Sequence, residues 1–522
     1  MRPKKERAAN RIGQRAIVVA AAGILTGALL AGCAVAGNDG ANEKSGSEGT
    51  QEMESRLISV YEAEEGYYSG NVKTGSSIDG FSGEGYAEGF SEDGDSVGVT
   101  IECPETGFYN LGFTTAQIGG YKENYVYVDG ESVGLLPSDT AEFTDAMIQR
   151  VYLTEGQHEV MLAKYWGYIA LDKISLLTSP DLPADYYEAD VRLSNPNASE
   201  NAQRLMSFLA DNYGINILSG QYCDTGLYGH ENACIWSETG KFPAVLGLDM
   251  IEYTPSRAAN GSVGKSIEYA IEAWDKNAVV TMCWHWNAPE KYLTGVWYSG
   301  FYKEYTNIDL DKIMNGEDPE GYELLVSDMD VIAGELVKLK EQDVPVLWRP
   351  LHEASGGWFW WGNCSAQSYK SLYRLMYDKF VNEYELNNLI WVWNGQDADW
   401  YPGDDVVDLA GIDIYAGEHV YTSQVNTFAE VKSWTGNKMV CLSENGTMFD
   451  PDLAIRDDAM WSFFCTWCGE FITKSKTLNR ISEQYTEAQM VDKVYSHENV
   501  LTLDELPDLH SYTIREDVIC ER

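Results

Sequence analysis

Two carboxylates in this chain stand where they could work together. Glu353 closes the run Leu347-Trp348-Arg349-Pro350-Leu351-His352-Glu353, and Glu444 falls in Val440-Cys441-Leu442-Ser443-Glu444-Asn445-Gly446. In an extended strand, period-two alternation sends Arg349, Leu351 and Glu353 to one side, and Val440, Leu442 and Glu444 likewise. Two facing carboxyls in an aromatic-lined cleft are the equipment for breaking a glycosidic bond: one protonates the leaving oxygen and the other attacks the anomeric carbon. An acid that works near neutrality needs apolar surroundings, and Trp348, Trp358 and Phe359 are near Glu353 in sequence. Its partner needs polar contacts, for which Tyr415 and Arg349 are candidates.

The elements that carry these residues form an eightfold rhythm. Apolar, β-branched runs recur at Gly214–Tyr222, Phe242–Met250, Ala278–Trp286, Val344–His352, Asn388–Asn394, Val407–Tyr415, Lys438–Ser443 and Trp461–Trp467, with helical periodicity between them, as at Met329–Lys340 and Tyr369–Tyr384. Continuous apolar strands alternating with helices mean a parallel sheet buried on both faces, and eight of them point to a (β/α)₈ barrel. A doubly wound open sheet is the alternative, but no Gly-rich phosphate loop opens the first unit. In a barrel, function sits at the C-terminal strand ends. Those ends hold Tyr222, Asp249, His285-Trp286, Arg349, His352-Glu353, Asn394, Asp413 to Tyr415, Glu444 and Trp467. Glu353 and Glu444 are then about three βα units apart, across the barrel mouth.

The barrel is one part of four. Residues 1–33 carry Arg2, Lys4, Lys5, Arg7, Arg11 and Arg15, then an apolar run from Ala16 to Leu30, and end Leu30-Ala31-Gly32-Cys33. This reads as a secretory signal whose Leu-Ala-Gly-Cys ending looks like a bacterial lipobox, making Cys33 the lipidated residue and the protein an exported, membrane-anchored lipoprotein at the cell surface. Ordinary secretion or a retained helix is the alternative. Residues 34–56 are Gly, Ser, Asn and Glu with almost no apolar content, a flexible tether with a random-coil reach of about 25 Å. Residues 57–178 show short alternating segments with Gly and Asp-Gly turns, the pattern of an antiparallel β-sandwich with no credible nucleophile, and hence a binding module. Residues 179–184 are a Pro-containing linker, 185–510 the barrel and 511–522 a C-terminal tail.

Within the sandwich, Tyr61-Glu62-Ala63-Glu64, Gly80-Phe81-Ser82-Gly83-Glu84-Gly85-Tyr86, Tyr125-Val126-Tyr127-Val128-Asp129-Gly130 and Trp166-Gly167-Tyr168-Ile169-Ala170-Leu171-Asp172 resemble a carbohydrate-binding module of family 35. The resemblance implies a structural Ca²⁺ held by Glu62, Glu64 and Asp172, hard oxygen ligands that suit this ion. It also places Trp166 and Tyr168 in the ligand loop as a sugar platform, with core packing as the rival reading, and leaves Lys122 and Asn124 as hydrogen-bonding candidates.

Residues 185 to about 510 resemble glycoside hydrolase family 26, a barrel family dominated by β-mannanases. The match rests on Trp348-Arg349-Pro350-Leu351-His352-Glu353 followed by Gly357-Trp358-Phe359-Trp360-Trp361-Gly362, on Trp400-Tyr401-Pro402-Gly403-Asp404, on Gly411-Ile412-Asp413-Ile414-Tyr415 and on Val500-Leu501-Thr502-Leu503-Asp504-Glu505-Leu506-Pro507. It implies Glu353 as general acid/base and Glu444 as nucleophile in a retaining attack on the β-1,4 linkages of mannan, glucomannan or galactomannan, with no cofactor. The carboxyls should then lie about 5–5.5 Å apart. His352 would hydrogen-bond around the reacting sugar, Trp358 and Trp467 would stack beside the cleavage point, and His285 and Trp286 would contact the glycone side, with Arg349 and Tyr415 completing the substrate set. Ala354 and Ser355 replace the family's common Met-Asn, and Asn445 is unusual after the nucleophile. The same barrel acting on mixed-linkage β-glucan or β-1,3-xylan is one rival reading; a non-catalytic surface glycan-binding lipoprotein is another.

Composition narrows the partners. With 81 acids against 37 bases, a net charge of −44 argues against a nucleic-acid phosphate binder, whereas a neutral glycan tolerates it. The first 33 residues hold six bases and one acid, so the acidity belongs to the exported part. The 16 Trp and 33 Tyr offer flat apolar faces of the kind sugars stack on. The nine cysteines after Cys33 are no disulfide scaffold; Cys223 and Cys234 could pair, and Cys465-x-x-Cys468 lacks the second ligand pair a zinc site needs. A monomer is expected.

Overall fold

The computed structural model describes residues 55–475 and 477–519. The expected lipobox Cys33 and signal, most of the expected tether, and Cys520 lie outside the described residues. Among these residues no helix is long and apolar enough to cross a membrane.

The first body is the sandwich. One sheet runs Lys73–Gly75, Tyr86–Glu88, Ile169–Thr178, Gly107–Gln117 and Thr144–Leu153, with Leu57–Glu62 also paired to Ile169–Thr178; the other runs Tyr67–Ser69, Ser96–Cys103, Gly156–Ala163, Lys122–Val128 and Glu131–Ser138. The alternation read from sequence is what closes it. Val97, Ile101, Leu111, Phe113, Val126, Leu162 and Ile174 are fully buried between the sheets, as expected of inward positions in a packed antiparallel pair.

The second body is a closed eight-stranded parallel barrel. Its strands are β1 (Gly220–Tyr222), β2 (Val245–Asp249), β3 (Val279–Cys283), β4 (Val346–Arg349), β5 (Leu389–Trp393), β6 (Leu409–Ile414), β7 (Met439–Asn445) and β8 (Phe464–Thr466). Closure is made by Gln221 of β1 opposite Thr466 of β8. Each of the eight apolar runs overlaps one barrel strand; six strands are shorter at both ends than their runs, whereas β7 continues two residues past Ser443 to Asn445. The difference matters at β4, which stops at Arg349. Leu351 and Glu353 beyond it adopt the left-handed region, φ 52° and 55°, so Glu353 sits in a tight turn rather than on an extended strand. The alternation argument therefore does not apply to it.

Trp286 also differs from the sequence expectation. β3 ends at Cys283, and Trp286 is fully buried, stacked on Trp284 at 4.2 Å with its indole N–H donated to Asp328 of the helix Pro319–Glu341. It packs the barrel wall against that helix and is not part of the cleft. Burial pushes Asp328 up to about 7 against that one hydrogen bond.

The two bodies touch directly. Arg150, at φ 53°, reaches from the sandwich to Asp458 at 2.6 Å while its guanidinium lies 4.2 Å above Phe108. Gln149 N–H donates to Asn426 Oδ1 at 2.8 Å, and Arg456 lies over Tyr152. The C-terminal segment packs as well: Leu509 and Val518 are buried, and Tyr512 and Arg515 both bond Asp211 at 2.8 Å.

Candidate active site

The C-terminal strand ends converge on one buried guanidinium. Arg349, the last residue of β4, is fully enclosed. Its Nη1 donates to Asp413 Oδ2 at 2.5 Å, its Nη2 to Glu444 Oε2 at 2.5 Å, and Nε and Nη2 reach Tyr222 Oη at 3.3 and 3.1 Å. A planar fork of five donors suits this task, which a lysine could not reproduce. Asp413 is held on its other oxygen by Asn394 Nδ2 at 2.7 Å and Ser443 Oγ at 2.8 Å. Tyr415 donates its hydroxyl to the other oxygen of Glu444.

Register explains why Ser443 and Glu444 both reach this network. β6 pairs with β7 as Ile412 opposite Leu442 and then Asp413 opposite Glu444, so β7 carries one extra residue at Ser443. Such a bulge re-aims the side chains after it.

Glu353 is positioned from β5. Its backbone N–H donates to the carbonyl of Asn394 at 2.8 Å and to Asn394 Oδ1 at 3.1 Å, which holds the left-handed turn in place. A non-glycine residue held there costs of order 1–3 kcal/mol, a strain that persists only where surrounding contacts enforce it. Its Oε2 accepts the indole N–H of Trp358 at 2.9 Å. Burial, then the neighbouring Asp413 and Glu444, hold the Glu353 carboxyl well above the usual carboxylate range, against Arg349 and the Trp358 N–H. One oxygen from each of Glu353, Asp413 and Glu444 lies within 4.8 Å of the others. The two carboxyls read from sequence thus face each other, one near-neutral donor and one engaged by two donors.

The remaining predicted residues divide. His285 receives a fixed orientation from Asp249, through Nδ1 to Oδ2 at 2.6 Å, and its Nε2 lies 3.2 Å from His352 Nε2. Burial and Arg349 push His352 well below its ordinary value, so the ring is neutral, and its buried Nδ1 has no protein partner. Trp467 is half-buried, its ring 4.8 Å from Tyr222 and 5.7 Å from His285. Trp358 lies beside Glu353 as a hydrogen-bond donor, a contact its sequence position did not specify. Tyr302, on the long loop after β3, was not singled out from sequence. Burial, then Glu353 and Glu444, raise its hydroxyl, and its ring stacks on Phe359 at 5.5 Å; no strand end marked it.

In the sandwich, Trp166 is 36% and Tyr168 53% exposed, with Trp166 edge-on to Tyr121 at 5.7 Å. Asn124 is fully buried and accepts the backbone N–H groups of Tyr165 and Gly167 at 3.0 and 2.9 Å, and Lys122 donates to carbonyls of its own turn. Both shape the loop rather than reach out from it. Glu62 and Asp172 accept from Ser82, and Glu64 from the N–H groups of Glu84 and Gly85; Glu64 Oε2 is buried without a partner. All three enclose the loop from Ser82 to Gly85, but they are not gathered within 4.8 Å as one ligand set. Cys223 and Cys234 are free thiols, as are the other described cysteines.

A parallel barrel whose mouth sets two carboxyls face to face, with aromatic rings beside them, defines a glycoside hydrolase. The chain belongs to glycosyl hydrolase family 26, whose profile matches residues 194–505, and residues 59–178 match carbohydrate binding module family 35. A mannan endo-1,4-β-mannosidase of Thermothelomyces thermophilus is 36% identical over 459 residues, 87% of this chain and 91% of the relative. Mannan endo-1,4-β-mannosidase B of a Piromyces species is 36% identical over 459 residues, covering 86% of this chain and 77% of its own length. Among solved structures, the Podospora anserina GH26-CBM35 β-(1,4)-mannanase is similar with a TM-score of 0.61 at 33% identity, covering 87% of this chain and 99% of that one.

The Trp358 N–H stabilises the Glu353 carboxylate. In Trp358→Phe that support is lost and the Glu353 pKa rises further. Activity that needs protonated Glu353 falls as pH rises through its pKa, so the alkaline limb of the kcat/KM profile should move to higher pH. An unmoved or lowered limb in Trp358→Phe would contradict this assignment.

Proposed function

We propose that the chain is an exported, retaining endo-β-1,4-mannanase whose Glu353 acts as general acid/base and Glu444 as nucleophile, with the sandwich as an appended sugar-binding module. The observation that carries this reading is the approach of Glu353, Asp413 and Glu444 oxygens to within 4.8 Å. That approach is on the scale of the ~5–5.5 Å carboxyl separation of retaining enzymes rather than the ~6.5–9.5 Å of inverting ones. The raised Glu353 supplies the proton for the leaving oxygen, and Glu444, aligned by Arg349 and Tyr415, attacks the anomeric carbon. Glu353 then takes a proton from water as it displaces the glycosyl group. Neutral His352 and half-buried Trp467 flank the pair and are positioned to contact the reacting sugar. The names of both relatives favour mannan over mixed-linkage glucan or β-1,3-xylan, and a glycan receptor without activity would not need the strained Glu353 turn. In Glu444→Ala, hydrolysis of manno-oligosaccharides should fall by at least about 10⁴-fold, and the wild type should release the β-anomer first. First release of the α-anomer would reject the double displacement; faster cleavage of lichenan or xylan than mannan would reject the substrate.

We also propose that Glu62, Glu64 and Asp172 hold a structural Ca²⁺. The buried, unpartnered Glu64 oxygen supports it, since a cation would satisfy that atom, while Lys173 Nζ at 3.3 Å from Asp172 competes for part of the same charge. Calcium should raise the thermal midpoint of the sandwich, and a chelator should lower it; equal midpoints in both would dismiss the ion.

Anchoring is the remaining proposal. The basic start, the apolar run and Cys33 support export with a lipid on Cys33. Cys33→Ala should move the protein from the membrane fraction to the soluble one, and an unchanged distribution would refute the anchor.

A further inference from the structure

A second constellation of ligating atoms lies apart from the carboxyl pair, at the ends of β2 and β3. One oxygen of Asp249, the Cys283 sulfur and one nitrogen of His285 all lie within 4.8 Å of one another. The barrel register enforces part of this, because Asp249 and Cys283 are direct partners across the two strands. His285 follows two residues later, its backbone N–H bonded to Asp249 Oδ1 at 3.1 Å and its Nδ1 to Oδ2 at 2.6 Å. The hydrogen bond between Asp249 and His285 accounts for the orientation of the imidazole. The Cys283 sulfur lies beside the pair, fully buried in the barrel wall.

Acidic groups gather nearby, against the Arg349 guanidinium that lies opposite Cys283 on β4. β1 lies next to β2, and the segment after β1 brings exposed Asp224 and a Glu231 bonded to the Cys223 thiol at 3.2 Å. One thiolate, one imidazole and one carboxylate form a donor set for a borderline transition ion rather than for Ca²⁺ or Mg²⁺, and three protein ligands leave a fourth position open.

We propose that Asp249, Cys283 and His285 form a binding site for Zn²⁺ or a similar divalent transition ion, and that filling it inhibits the enzyme. On binding, the Cys283 thiol loses its proton to solvent as the S–metal bond forms. The imidazole coordinates through Nδ1, which breaks its bond to Asp249, and its proton moves to Nε2. That proton then points at His352 Nε2, 3.2 Å away. In the metal-free arrangement His285 Nδ1–H donates to Asp249, Nε2 accepts from His352, and His352 Nδ1 is an acceptor. With the metal bound, His352 must accept at Nε2 and carry its proton on Nδ1. The ion thereby reverses the hydrogen-bonding sense of the ring beside Glu353 without touching Glu353 or Glu444.

The binding half of this proposal is independent of the catalytic reading; the inhibitory half rests on it. Co²⁺ is the probe for the first. Titrated into the full-length protein, it should produce a thiolate-to-metal absorption band that Zn²⁺ abolishes and that Cys283→Ser lacks. Zn²⁺ should inhibit mannan hydrolysis by the wild type at least about tenfold more strongly than by Cys283→Ser, whose metal-free activity stays at the wild-type level. Cys283→Val serves the same purpose should the serine variant not fold. A wild type without the band, or a band of equal strength in the folded Cys283 variants, overturns the site. Equal inhibition of wild type and variants overturns the relay to His352 and assigns the effect to the carboxyls around Glu444. An enzyme inactive on mannan leaves the Co²⁺ measurement to decide the site.

Discussion

The barrel mouth is organised by a shortage of positive charge. One fully enclosed guanidinium, Arg349, faces three carboxyls within 4.8 Å of each other, and its fork satisfies only two of them, Asp413 and Glu444. Removing one member of such a buried network costs about 3–5 kcal/mol, because the partners are left as uncompensated charges. Glu353 is the carboxyl without a share of the guanidinium. Burial is the larger cause of its raised pKa, the neighbouring Asp413 and Glu444 add to it, and the difference between the two carboxyls follows in part from which side chains Arg349 reaches.

Position is enforced from the neighbouring strand rather than from the strand that carries the residue. β4 ends four residues before Glu353, and Asn394 at the end of β5 grips the Glu353 backbone N–H with both its carbonyl and its side-chain oxygen. The same Asn394 donates to Asp413. One asparagine thus ties the Glu353 turn to the network that holds Glu444, so the two carboxyls keep their separation through shared contacts.

Much of this was legible in the sequence because parallel barrel strands are buried on both faces and read as apolar runs, and because the polar residues at their ends have no structural excuse. Glu353, Glu444, Arg349, Tyr415, His285, His352 and Trp467 all reach one rim for that reason. What was not legible depends on backbone torsion and on loops. Nothing in the run from Leu347 to Glu353 announces two left-handed residues, and nothing in β7 announces the extra residue at Ser443. Trp286, expected at the cleft from its place at a run end and from the family resemblance, is buried against a helix because the strand stops at Cys283, and a large indole is as useful there as against a sugar. Tyr302 reaches the site from a loop too long for spacing arguments.

The contacts of Arg150, Gln149 and Arg456 across the two bodies have a mechanical meaning. A module on a loose linker samples a cloud of positions, and its benefit is an average over that cloud. Here the distance and angle between the sandwich and the barrel are built into the molecule, as between the two jaws of a gauge. Any polymer that touched both bodies at once would have to match that offset in its own stiffness and repeat.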